Sequence, residues 1–257
     1  MTKRDYIKRP LQVFSFGGGV QSTAIFCLIL EGRLPHPDII IHADTGSEMP
    51  YTLTHIQKIK ALCLDHGLPF EVVRSHRGAL HEYYSSKNSL PILGFRSCTG
   101  AFKVDVINRR VRQIVGHKNG QVLAVSWIGI SLDEAQRRSV PNRKWMGLTY
   151  PLLDEVPMTR RQCFSLIEKH NLITQKSGCW ICPYGGLKHF KKLKVNHPDL
   201  FQICLDMEAA YFKHRPERKQ GLLSQCSLDS LNIPSLETFG FNFKGSQCEE
   251  VEGGCFL

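Results

Sequence analysis

A doubly wound α/β fold, with a mostly parallel sheet and a C-terminal helical and loop appendage, is the class this sequence predicts. Three observations predict it. Apolar, β-branched or aromatic runs at residues 11–16, 38–45, 70–74 and 121–130 read as strands. Helix-period segments lie between them, which implies right-handed crossovers and a parallel sheet. The first run ends in three consecutive glycines, Gly17-Gly18-Gly19, placed where a strand turns into a helix.

The elements follow in order. Ala24 to Leu30 continues the glycine bend as an apolar helix, with Val20, Gln21, Ser22 and Thr23 in its opening turn. Glycine amides and the positive end of a helix dipole together form a cradle for phosphate. The Lys-Ser/Thr pair of a Walker loop is absent. The second strand ends in the polar loop Asp44-Thr45-Gly46-Ser47-Glu48-Met49-Pro50, and Tyr51 to His66 is helical by period. Residues 75–97 read as a loop or lid, Ala101 to Val115 as a helix, and residues 121–130 as another buried strand. From Pro157 the pattern changes to helices around Met158–His170 and Pro198–His214, separated by a cysteine-bearing loop at Gly178–Gly186. The expected division is therefore a nucleotide-binding unit over residues 1–156 and an appendage over residues 157–257.

Charge and cysteine content narrow the chemistry. Lys and Arg number 33 against 23 Asp and Glu, a net charge of +10 that favours polyanionic partners. The basic residues cluster at Arg109, Arg110 and Arg112, at Arg137, Arg138, Arg143 and Lys144, and at Lys188, Lys191, Lys192 and Lys194. A nucleic acid, tRNA or DNA, is one expected partner beside a nucleotide substrate. No apolar run spans a bilayer and no secretory pattern precedes the glycines, so a cytoplasmic protein without a membrane partner is expected. A homodimer is compatible with the chain. Ten cysteines in that setting point to metal or redox chemistry rather than a disulfide scaffold.

The order of these pieces resembles the PP-loop adenine nucleotide α-hydrolase superfamily, in its phosphoadenosine phosphosulfate reductase-like branch. The resemblance runs over about residues 11 to 185. Gly17-Gly18-Gly19-Val20-Gln21-Ser22 matches the phosphate loop, with Gly17 in place of the usual serine and Gln21 in place of an acid common in ATP-cleaving members. Asp44 to Pro50 matches the family's Asp-Thr-Gly element, and Gly129, Glu134 and Arg138 match a later Gly-Glu-Arg element. Ser131 stands where the reductases often carry arginine.

That resemblance implies a Rossmann-like PP-loop sheet and a set of roles. Gly17, Gly18, Gly19, Gln21, Ser22 and Thr23 would bind the nucleotide with Asp44, Thr45, Gly129 and Arg137, while Arg138 and Glu134 act in catalysis. ATP or another adenine nucleotide is the implied ligand, with Mg as a companion ion. The Cys179-Trp180-Ile181-Cys182 pair suits a [4Fe–4S] cluster, with zinc as the alternative and a redox pair behind. Cys98 would be a third ligand and Cys255 the fourth, with Cys248 next. Cys255 carries a rival role as a catalytic nucleophile near the chain end. Cys27, Cys63, Cys163 and Cys204 read as core residues, and Cys226 lacks a context. The leading function is an ATP pyrophosphatase-type enzyme, an iron–sulfur-dependent sulfurtransferase or a nucleotide- or nucleic-acid-modifying enzyme. The alternatives are a phosphoadenosine or adenosine phosphosulfate reductase and a non-catalytic binding module.

Overall fold

Five strands, β1 (Leu11–Ser15), β2 (Ile39–Asp44), β3 (Phe70–Arg74), β4 (Ala124–Trp127) and β5 (Met146–Thr149), form one sheet in the order β3-β2-β1-β4-β5. The computed structural model describes residues 9–94, 96–116, 121–141, 143–173, 175–218, 220–223 and 227–231. Every pairing is parallel. The chain winds outward from β1 to β3, returns, and adds β4 on the other side of β1. The topological switch point therefore lies between β1 and β4, at their carboxyl ends.

Helix α1 (Val20–Leu30) is buried along nearly its whole length. From Ala24 onward it is apolar on every side, which requires cover all round. The sheet gives it one face through Phe14 and Ile40, and α2 (Pro50–Asp65) and α7 (Arg160–Lys169) give the others. Full burial of a side chain such as Phe26 is worth roughly 2–3 kcal/mol, so this layer anchors the glycine bend. Helix α7 was expected in the appendage. Its Cys163, Leu166 and Ile167 instead pack in the same core as α1, so the sheet's helical cover extends past residue 156. Thr159 caps α7: the Gln162 amide donates to Thr159 Oγ1 at 3.3 Å, and the Thr159 amide donates to Gln162 Oε1 at 2.8 Å.

On the opposite face, α5 (Asp105–Val115) covers Leu11, Val13, Ile39 and Ile41 with Val111. It continues from α4 (Ser97–Thr99) through a π-helical turn at Gly100–Val104. Such a turn inserts a residue and re-aims the side chains around it. Here Phe102 is buried and Lys103 reaches inward. The stretch read as an irregular loop contains α3 (Leu80–Ser85), and β5 adds an edge strand that its short, glycine-containing sequence did not announce.

A second apolar cluster lies beyond the strand ends. It joins Met49, Leu80 and Phe102 to Trp180 and Ile181, and to α8 (Gly186–Asn196) and α9 (Pro198–His214) through Phe190, Leu193, Phe201 and Cys204. The short helix α6 (Pro151–Asp154) follows β5. Glu208, buried in α9, accepts the Leu222 amide at 2.6 Å and the Leu228 amide at 2.7 Å, pinning the segment that follows the helix. Burial raises its carboxyl pKa, against those two hydrogen bonds. Cys27, Cys63, Cys163 and Cys204 are core residues, as expected.

Candidate functional site

The glycine bend owes its shape to its sequence. Gly18 has φ +74°, and a Cβ there would stand 2.9 Å from Ile56 Cδ1. A side chain is excluded on both counts. Gly19 closes the bend: its amide donates to Ser22 Oγ at 3.1 Å, and its carbonyl accepts the hydroxyls of Ser22 at 3.0 Å and Thr23 at 2.9 Å. These two hydroxyls, expected on a ligand, thus brace the bend itself. Thr23 Oγ1 also lies 2.8 Å from His55 Nε2. Burial pushes the His55 pKa down to about 4, so the ring is neutral at pH 7.

The loop after β4 rests directly on α1. A Cβ at Gly129 would stand 3.0 Å from the Ser22 amide nitrogen and 3.2 Å from Gln21 Cβ. Beyond it Gln21 Nε2 donates to Glu134 Oε2 at 3.0 Å, which also accepts Arg137 Nη1 at 2.8 Å. Gln21 thus meets Glu134 where an acid would repel it. Arg138 does not join this chain. It donates to Asp154 Oδ1 at 2.8 Å with its guanidinium 5.1 Å from the Tyr150 ring centroid.

At the switch point a cavity of about 570 Å³ is lined by Ser15, Gly17, Ala43, Lys103, Gly129 and Arg137. Apolar residues including Ile107 and Leu148 complete its wall. The size and mixture suit a nucleotide-sized ligand, with exposed backbone at one end and apolar surface at the other. His42 also lines it; its Nδ1 lies 2.9 Å from the Phe16 carbonyl oxygen, and its buried Nε2 has no hydrogen-bond partner among the described residues. Asp44, expected beside the adenosine, is engaged by protein groups. Its Oδ1 accepts the Gly46 amide at 2.7 Å and its Oδ2 accepts Arg74 Nε at 2.7 Å, so it caps its own loop.

The thiol loop docks on that same loop. Met49 donates to the Gly178 carbonyl and Trp180 to the Ser47 carbonyl, both at 2.9 Å, around an antiparallel bridge between Glu48 and Cys179. Thr45 Oγ1 lies 3.2 Å from Cys179 Sγ. Ser177 touches the glycine bend, its Oγ 2.9 Å from where a Gly19 Cβ would stand. Lys103 Nζ donates to Glu48 Oε1 at 3.0 Å. Burial works against the Lys103 charge, but Glu48 and the cysteines beside it outweigh that and raise its pKa. Burial pushes Cys179 up to about 12, reinforced by Glu48 and opposed by Lys103 and Thr45. Cys182 is raised too, by burial first and by Cys98 among the further causes.

Cys98, Cys179 and Cys182 therefore belong to one apolar cluster. Among the described residues, however, no group of three or more His, Cys, Asp or Glu could hold a metal ion. The described donors do not by themselves fit a [4Fe–4S] cluster or zinc, and no chemical step is assigned to either. Cys255, Cys248 and Cys226 lie outside the described residues. A second cavity of about 570 Å³ opens beside the thiol loop, lined by residues including Tyr51, Lys176, Cys179, Cys182 and His189. No helix among the described residues is long and apolar enough to cross a membrane.

Sequence reading missed four contributors: His42, Arg74, Lys103 as the partner of Glu48, and Ser177. A histidine inside a buried strand and a lysine five residues after Cys98 were the available signals.

No protein-family model and no curated protein matches the chain. Among solved structures it is similar to phosphoadenylyl-sulfate (PAPS) reductase from Candida auris, crystallised as a phosphate complex. Identity is 11% and the TM-score 0.48, over 70% of this chain and 89% of that one. A likeness this distant assigns no activity.

Proposed function

We propose that this chain is a PP-loop-type enzyme that binds an adenine nucleotide at the switch point and cleaves it at the α-phosphorus. The observation that carries the reading is the cavity between the ends of β1 and β4, which Gly17 of the glycine bend lines together with Gly129, itself packed on the first turn of α1. The opening amides of α1, which a helix cannot pair internally, receive the phosphates. Arg137 and Lys103 line the same space and offset phosphate charge. Gln21 and Glu134 orient Arg137. Arg138, tied to Asp154, positions the segment rather than touching the ligand.

An acceptor oxygen attacks the α-phosphorus, an O–P bond forms, and the bond to the bridging oxygen breaks to release pyrophosphate. A sulfide or amine donor then displaces AMP from the activated acceptor. The proximity of the thiol loop to the glycine bend favours sulfur as the incoming atom.

The test is turnover of ATP against a panel of acceptors with a sulfide donor present. Acceptor-dependent pyrophosphate and AMP in equal amounts support the reading. Sulfite released from a phosphosulfate without pyrophosphate would replace it with the reductase reading. Nucleotide binding without any turnover would leave a binding module.

A further inference from the structure

The two arginine clusters at residues 109–112 and 137–144 are far apart in sequence, yet members of both line one open cavity of about 730 Å³. It lies between α5 and the edge of the sheet at β5. Arg109, Arg112 and Arg143 line it with Asp105, Asn108 and Trp145. Three cations face one carboxylate. Asp105 Oδ1 accepts Arg143 Nη2 at 2.8 Å, and Arg109 Nη1 lies 2.6 Å from His76 Nδ1. Two nitrogens are left over: Arg112 Nη1 and Arg143 Nε are buried and have no hydrogen-bond partner among the described residues. Unpaired buried guanidinium N–H groups are costly, and an anion is the partner that satisfies them best.

We infer that this groove binds the phosphates of a single-stranded nucleic acid. Its shape decides between a strand and a lone phosphate. From Asp105 to Gly116 the lining follows one face of α5, about 16 Å of helix at 1.5 Å per residue, enough for consecutive phosphates. Trp145 supplies a flat aromatic surface, with the Arg112 guanidinium 4.6 Å from its ring centroid. An arginine-backed tryptophan beside a phosphate track is the arrangement on which unpaired bases stack. The net charge of +10 has the right sign. Asn108 lines both this groove and the nucleotide cavity, so a strand laid along α5 runs toward the glycine bend. The inference goes beyond the nucleotide reading and stands without it, because strand binding is measured with no ATP present.

The experiment is fluorescence anisotropy of labelled DNA and RNA single strands of about twelve nucleotides, between about 50 and 200 mM salt. Three phosphate contacts predict a log–log salt slope near about −2, at about −0.7 per contact on single strands. In Arg112→Gln/Arg143→Gln protein the affinity falls at least about tenfold and the slope drops toward about −0.7. The exposed Arg109→Gln keeps the test decisive if the double variant folds poorly, since it alone must flatten the slope by about 0.7. Absence of strand binding at the low salt, or an unchanged slope in Arg109→Gln, overturns the inference. So does displacement of the strand by polyglutamate of equal length at equal concentration, which would mark an acidic-peptide groove. Competition by inorganic phosphate as strong, per phosphate, as by the strand would reduce the groove to a single-anion site and overturn it too.

Discussion

Two loops meet at the carboxyl ends of the strands, and they are built on opposite principles. The glycine bend works by having no side chains: its walls are backbone, its brace is its own Ser22 and Thr23, and it opens on a cavity. The thiol loop works by burial. Cys179 is sealed against Thr45, Glu48 and Lys103, and its thiol is pushed up to about 12, chiefly by that burial. A bend of the first kind keeps its shape through its own hydrogen bonds. A thiol of the second kind is held protonated until something else enters its surroundings.

This contrast can be broken most forcefully at its two glycines. Gly129→Val would drive a side chain into the Ser22 amide and should weaken ATP binding about 100-fold or more, roughly 2.7 kcal/mol, in isothermal titration. Gly178→Ala, where nothing stands within 4 Å of an added Cβ, should leave ATP affinity within about twofold. Equal effects at the two positions would erase the distinction.

The next effect is on stability. Lys103→Met leaves the Glu48 carboxylate buried without its cation and should cost about 3 kcal/mol in urea melts. Adding Glu48→Gln should recover most of that loss. Failure of the second change to rescue the first would remove this pair from the account of the thiol loop.

Acidification sharpens the glycine side. The His55 pKa lies at about 4 against an ordinary 6.5, with burial the main cause. The unfolded chain therefore binds more protons between those values, and stability should fall as pH drops from about 6.5 toward about 4. His42, also lowered by burial, acts in the same direction. In His55→Gln protein the slope of stability against pH over that window should be shallower. The smallest effect belongs to a site remote from both loops: Thr159→Ala removes the α7 cap, costing about 1 kcal/mol, and should leave ATP affinity unchanged.

The fold was legible wherever local pattern decides structure. β1 to β4, the burial of α1 and the start of α9 at Pro198 follow from apolar runs and a proline that suits a first helical turn. β5 escaped notice because four residues containing a glycine carry little period, and it exists through pairing with β4. The packing of α7 on α1, across the composition change near residue 157, was not legible because it depends on the folded chain. The glycine bend was readable for the same reason that it is self-braced. The settings of Ser22, Thr23 and Asp44 were less so, because Ser22 braces the bend itself while Thr23 and Asp44 also meet His55 and Arg74, residues that the folded chain brings to them. The setting of Cys179 comes from Glu48 and Lys103, far away in sequence, and no spacing rule connects them.

The central claim is that the backbone of the glycine bend grips the phosphates of an adenine nucleotide. Amide NMR of glycine-labelled protein titrated with ATP tests it most directly. Saturable shifts at Gly17, Gly18, Gly19 and Gly129, with Gly32 and Gly67 unmoved, are the predicted result. Titration that leaves those four resonances in place while ATP binds elsewhere would contradict it.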